Sequence, residues 1–143
     1  MKIWFDMDGT IANLYAVENW LPKLRAHDPS PYEEAAPMLR LCVLARLLNR
    51  LQSEGYEIGI ISWLSKDPDP DYGELVTLAK IRWLKKHLAS VHWDYLNIVP
   101  YGTPKQEICG NGILFDDEEP NRSAWGEGAH DATEILEVLK SLL

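Results

Sequence analysis

Residues 2–11 read KIWFDMDGTI, a short apolar run, Ile3-Trp4-Phe5, that stops at two acids one residue apart, Asp6 and Asp8, followed at once by Gly9 and Thr10. A run of this kind is buried on folding. An unpaired carboxylate at its end is costly to bury unless it is neutralised or finds a cation. Two acids at the mouth of a buried strand therefore demand a positively charged partner, and the rest of the chain has to supply it.

Three further apolar runs, at 56–61, 95–99 and 113–115, have the same character. Continuous apolar runs bounded by turn residues suit parallel strands covered on both faces. Helical patterns lie between them. Residues 38–51 are rich in Leu and predict a largely buried helix ended by Gly55. Leu75, Leu78, Ile81, Leu84 and Leu88 recur at helical spacing, with Lys80, Lys85 and Lys86 falling elsewhere. Asp131-Ala-Thr-Glu134 has the form of a helix cap, followed by Ile135, Leu136, Leu139 and Leu142 on one face. Strand alternating with helix predicts an α/β fold, a Rossmann-like three-layer sandwich with a mainly parallel sheet.

Two stretches break the rhythm. Residues 13–37 hold a helical pattern, Leu14, Val17, Leu21 and Leu24, then the loop HDPSPYEEAAP, enough for a small helical flap over the end of the first strand. The stretch SKDPDPDYGE after the second strand is rich in Pro and Asp and is expected to be an exposed loop.

A chain of 143 residues is one domain's worth. At this length folding buries roughly 70% of the surface of the unfolded chain. The net charge of −8 argues against a nucleic-acid groove, which is built from clustered Lys and Arg. It leaves room for a small phosphate ligand held beside a metal. No apolar stretch approaches the length of a membrane span, and Asp6 and Asp8 interrupt any secretory-type start. Cys42 and Cys109 are read as reduced core thiols, and the compartment as cytoplasmic. Oligomeric state is not legible.

The polar residues gather at strand ends. The first strand ends at Asp6 and Asp8, the second at Ser62, and the fourth at Asp116 and Asp117; Lys105 follows the third. In an open parallel sheet these carboxyl ends share one edge, where ligands bind. Acids from two strands, without His or Cys, make a hard, oxygen-rich cation site that suits Mg²⁺ better than Zn²⁺. Such an ion offsets repulsion between adjacent acids and clamps a phosphate. An Asp that attacks phosphorus gives an aspartyl-phosphate, and a second Asp nearby can protonate the departing alcohol. Lys105 supplies a point charge for phosphoryl oxygens, with Lys80 as the substitute candidate, and Ser62 a hydrogen bond. Gly9 removes a side chain where backbone N–H groups approach phosphate.

Asp6-Met-Asp8-Gly9-Thr10 resembles the first motif of the haloacid dehalogenase-like phosphatases, Asp-x-Asp-Gly-Thr. Ser62, Lys105 and the pair Asp116-Asp117 fall where that superfamily places its second, third and fourth motifs. AKIRWLKKHL, ILFDDEEPN and Trp125 are similar to the 5'(3')-deoxyribonucleotidase branch. The resemblance covers residues 1–12 and 39–126. It implies a Mg²⁺-dependent phosphomonoester hydrolase acting on a small phosphorylated metabolite such as a nucleotide. Asp6 would be the nucleophile and a metal ligand. Asp8 would be the general acid and base, offering its backbone carbonyl to the metal. Thr10 and Ser62 would contact the phosphoryl group, Lys105 would neutralise it, and Asp116 would be the third protein ligand. Asp117 would be a neighbouring ligand or an orienter of water. The branch carries a helical insert closing over the base, whereas here residues 13–37 form only a reduced cap.

Trp20 and Trp63 are placed either to stack on a substrate ring or to pack the flap onto the core. His27, His87, His92 and His130 are scattered without metal spacing. A signalling receiver domain also uses Asp, a hydroxyl, Lys and Mg²⁺. It carries its phospho-acceptor on a middle strand, whereas here the Asp-x-Asp pair is on the first. A non-catalytic binding module on the same fold is the third reading.

Overall fold

The computed structural model describes residues Met1–Leu143. Strand β1 (Lys2–Phe5) leads into a small antiparallel ladder of β2 (Ala12–Asn13) and β3 (Ala36–Pro37). Between these two lie a 3₁₀ turn and two short helices, α1 (Trp20–Arg25) and α2 (Ser30–Glu34). The α/β rhythm resumes with α3 (Leu41–Ser53), β4 (Glu57–Trp63), α4 (Pro70–His87), β5 (Tyr95–Val99) and α5 (Lys105–Cys109). It ends with β6 (Ile113–Phe115), α6 (Glu119–Trp125), β7 (Ala129–His130) and α7 (Ile135–Ser141). The main sheet has five strands in the order β5-β4-β1-β6-β7, every pairing parallel.

Both faces of that sheet are covered, and the period-2 side-chain alternation sorts residues between them. Ile3, Phe5, Ile58, Ile60, Ile113 and Phe115 face α3, α4 and α7, where Leu44, Leu48, Trp83 and Leu139 complete the larger core. Trp4, Ile61 and Leu114 face the other way, onto Cys109 and Trp125 from α5 and α6. Gly59 is required here, since a Cβ would sit 2.6 Å from the Trp4 ring. The α/β three-layer fold is as the sequence predicts. No helix is long and apolar enough to cross a membrane.

Several local readings need correction. Strand β4 runs two residues further than expected, so Ser62 lies inside the strand. Part of the loop after His27 folds as α2, which Pro31 helps to start. In α4 the inward face is Tyr72, Val76, Ala79, Lys80, Trp83 and Leu84, while Leu75 and Leu78 are exposed. A buried lysine on the inner face hid that face from a hydrophobicity count. Cys42 is exposed, on the side of α3 opposite Leu44, Leu48 and Leu51; only Cys109 is a core thiol. β7 was missed because two residues are too few to show a period. The cap at Asp131 is present in full, with the Glu134 side chain accepting from the Asp131 N–H.

The β2–β3 ladder closes residues 13–37 into a unit that packs on α4. Trp83 Nε1 donates to the Ala35 carbonyl (2.7 Å), and Tyr72 Oη donates to the Asp28 carbonyl (3.0 Å).

Candidate active site

β1 lies at the centre of the sheet, with β4 on one side and β6 on the other. The chain fills β1, β4 and β5 outward, then returns to place β6 and β7 on the opposite side. The reversal falls between β1 and β6, the switch point where open α/β sheets bind ligands beyond their carboxyl ends. Asp6 continues β1 there, its N–H donating to the Phe115 carbonyl (3.0 Å), and Asp116 continues β6, its N–H donating to the His130 carbonyl (3.1 Å).

After Asp6 the backbone turns sharply. The Met7 carbonyl accepts from the N–H groups of Thr10 (3.1 Å), Ile11 (3.0 Å) and Ala12 (3.0 Å), and the Gly9 N–H donates to the Ala12 carbonyl (2.8 Å). The N–H groups of Gly9 and Thr10 are therefore committed within the turn. Gly9 has φ +79°, and a Cβ there would lie 2.7 Å from Cγ of Asp117. The glycine is demanded by backbone geometry and by the approach of Asp117.

The turn gathers the acids. Carboxylate oxygens of Asp6, Asp116 and Asp117 lie within 4.8 Å of one another. Lys105, at the start of α5 and 3% exposed, reaches Asp6 Oδ1 (3.1 Å) and Asp116 Oδ2 (2.6 Å). Thr10 Oγ1 stands 3.0 Å from Asp6 Oδ2 and 3.3 Å from Asp117 Oδ1, and accepts from the Asp117 N–H at 3.2 Å. Asp116, wholly buried, also accepts from the Glu118 N–H (2.9 Å) and from Asn121 Nδ2 (3.2 Å). Asn121 was given no role from sequence; its place one helical turn after Asp116-Asp117 was the available signal.

Burial, with Asp6 alongside, pushes Asp116 up to about 6 and Asp117 up to about 8. Burial pulls the Lys105 ammonium down, but Asp6 and Asp116 outweigh it and the net shift is upward. These carboxylates crowd one another beyond what a single lysine relieves. Their donor set is all oxygen, which fits a hard divalent cation such as Mg²⁺ and not a soft one.

Asp8 stands apart from this cluster. Its Oδ2 accepts from Lys80 Nζ (2.9 Å), which also donates to Ser62 Oγ and the Trp63 carbonyl, both at 2.7 Å. Burial raises the Asp8 carboxyl above its usual range in spite of Lys80. Ser62 is fully buried, so its hydroxyl meets Lys80 in the wall behind Asp8.

Asp6, Asp8 and Lys105 form the floor of a cleft of about 570 Å³. Its walls carry Tyr15, Trp20, Tyr32, Trp63 and Tyr101, the first three from residues 13–37. Trp63 is fixed by donation from Nε1 to the Thr103 carbonyl (2.8 Å) and lies against Tyr101 (4.9 Å between rings). Burial and the nearby Asp8 push the Tyr15 and Tyr32 phenols up, so both are neutral donors. The three tyrosines were not singled out from sequence, because an aromatic residue in a loop reads equally well as packing. None of the four histidines lines the cleft.

No protein-family model and no curated protein matches the chain. Among solved structures it is similar to a D,D-heptose 1,7-bisphosphate phosphatase from Burkholderia thailandensis, with a TM-score of 0.56 and 12% identity. The likeness covers 99% of this chain and 97% of that one. At this identity the likeness establishes a shared fold alone, the three-layer α/β sandwich.

Proposed function

We propose that the protein is a Mg²⁺-dependent phosphomonoester hydrolase of the haloacid dehalogenase-like type, working through an aspartyl-phosphate on Asp6. One observation carries this reading: carboxylate oxygens of Asp6, Asp116 and Asp117 converge within 4.8 Å, Lys105 spans Asp6 and Asp116, and Asp6 and Lys105 open onto the floor of a cleft. The fold shared with a sugar-bisphosphate phosphatase supports it. Asp6, Asp116 and Asp117 would hold the Mg²⁺, with the Asp8 carbonyl as a further donor. The ion would neutralise phosphoryl charge and lower the acids' mutual repulsion.

The chain's own groups account for the rest. An Asp6 oxygen attacks phosphorus, and the ester P–O bond breaks as Asp8 gives its proton to the departing oxygen. The raised Asp8 carboxyl suits that donor role. Asp8, now a carboxylate, takes a proton from the water that attacks the Asp6 phosphoryl group, releasing phosphate and restoring both acids. Lys105 stabilises charge on the phosphoryl oxygens, and Lys105 and the Thr10 hydroxyl orient Asp6. Residues 13–37 act as a reduced cap whose aromatic residues contact the leaving group. The aromatic walls favour a leaving group with a flat ring, such as a nucleoside, over a bare sugar.

The test is Mg²⁺-dependent phosphate release from nucleoside monophosphates, sugar phosphates and an aryl phosphate, with Asp6→Asn as control. Release abolished in the variant is expected. A stable phosphoprotein without turnover would mean a phosphoryl-storing domain instead, and inertness toward every ester would mean a binding module.

A further inference from the structure

Lys80 is the most deeply buried cation in the molecule, at 0% exposure, and the chemistry above does not use it. It lies on the inner face of α4, where the neighbouring positions are Val76, Ala79, Trp83 and Leu84. A lysine ammonium has three donors and no acceptor. Here all three are matched, to Asp8 Oδ2 (2.9 Å), Ser62 Oγ (2.7 Å) and the Trp63 carbonyl (2.7 Å). No donor is left over for a phosphate oxygen. That separates Lys80 from Lys105, which sits on the floor of the cleft beside Asp6.

Two of its three anchors belong to the end of β4, an interior strand paired on both sides, and the third is the Asp8 carboxyl. Asp8 is on the turn that leaves β1 and lines the cleft, with 17% of its side chain exposed. Without Lys80 nothing from α4 or β4 would tie that side chain down, and the carboxyl would be free to swing within the cleft. We propose that Lys80 is the positioning residue of the leaving-group acid. It clamps one oxygen of Asp8 to the β4 end and so holds the other toward the departing ester oxygen. When Asp8 gives up its proton, the carboxylate that forms already has its cation in place. Ser62 belongs to the same clamp, in place of the phosphoryl contact expected of it.

This inference rests on the phosphatase reading, and the experiment separates the two. The quantity is kcat/KM, which reports the step in which the leaving group departs. Two esters are compared in Mg²⁺: a nitrophenyl phosphate, whose leaving group needs no proton, and an alkyl phosphate, whose leaving group does. Positioned general acids contribute roughly 10²–10⁴-fold, and a misplacement of about 1 Å costs on the order of 10²-fold. Lys80→Gln is therefore expected to lose about 10²-fold on the alkyl ester and less than about 5-fold on the nitrophenyl ester. Added to Asp8→Asn, it should cost the alkyl ester nothing further. Ser62→Ala, which removes one anchor and keeps the lysine, is expected to show the same asymmetry at smaller size. It carries the test if Lys80→Gln does not fold. Equal losses on the two esters, or a loss confined to KM on both, would overturn the clamp and make Lys80 a structural or phosphate-binding group. A wild-type protein inert toward both esters would instead remove the phosphatase reading.

Discussion

Replacing Lys105 by Met keeps the bulk of the side chain and removes the charge that holds the acidic cluster together. Lys105 is 3% exposed, Asp6 7% and Asp116 0%, so the two ion pairs at 3.1 and 2.6 Å are nearly dry. Removing one partner of a buried pair costs about 3–5 kcal/mol when the other charge is left stranded. The stranded charge has an escape, because a carboxylate can take up a proton. Asp116 stands at about 6 even beside the lysine. Protonating a group of that pKa at about pH 7.5 costs about 2 kcal/mol at most, at about 1.36 kcal/mol per pH unit, because losing the lysine raises that pKa further. The loss for Lys105→Met in chelator is therefore expected at up to about 2 kcal/mol near pH 7.5, a sizeable part of an ordinary domain's stability. Near pH 5.5 the proton is taken up without cost, and the loss should fall below about 1 kcal/mol. Mg²⁺ should stabilise the variant more than the wild type, since the ion no longer meets an ammonium beside its ligands. Urea unfolding followed by tryptophan fluorescence at the two pH values, with chelator and with Mg²⁺, measures all four numbers. A loss that is the same at both pH values and indifferent to Mg²⁺ would show that Lys105 is held by packing and that its carboxylates are not the strained, cation-seeking cluster described here.

Gly9→Ala forces an L-residue to φ +79° and sets a Cβ against the Asp117 carboxylate, so it should cost about 1–2 kcal/mol and weaken Mg²⁺ binding. A Mg²⁺ titration unchanged from wild type would contradict that. Asp116 and Asp117 are raised to about 6 and about 8, so the folded chain keeps protons that the unfolded chain has lost above about pH 4. The stability of the metal-free protein should then fall as pH rises from about 4 to about 8. Because Mg²⁺ competes with those protons, the rise in Tm on adding it should be larger near pH 8 than near pH 5.5; the reverse order would refute the assignment of these acids. Native protein should present one reactive thiol, Cys42, to a disulfide reagent. Cys109, buried and pushed up to about 12, should react only after unfolding.

The sequence was most informative where one physical signal acted alone. Apolar runs bounded by turns gave the four long strands because nothing else in a 143-residue chain looks like them. The Asp131 cap was legible because a capping box is local chemistry. The convergence of Asp6, Asp116 and Lys105 followed from strand ends sharing one edge. What escaped was whatever depends on a distant partner. Lys80 reads as a solvent-facing residue of an amphipathic helix until Asp8, 72 positions away, is known to neutralise it. The same ion pair misdirected the reading of α4, because one inward charge outweighs a leucine count that favours Leu75 and Leu78. Tyr15, Tyr32 and Tyr101 become cleft residues only once the β2–β3 ladder and the β5–α5 connection have folded over β1.

The spacing of the two acids now has a structural cause. Asp6 extends β1 in the plane of the sheet and meets the groups that follow β5 and β6, Lys105 and Asp116. Asp8, past the turn at Met7, meets Lys80 of α4, which ties it to Ser62 at the end of β4. Each acid thus has its own lysine, delivered from a different segment of the chain. In the proposed mechanism Asp6 attacks phosphorus beside Lys105, while Asp8 passes its proton beside Lys80. A one-residue spacer between the acids is long enough to send the second one around the turn and, in the proposed mechanism, short enough to keep both on one phosphoryl group.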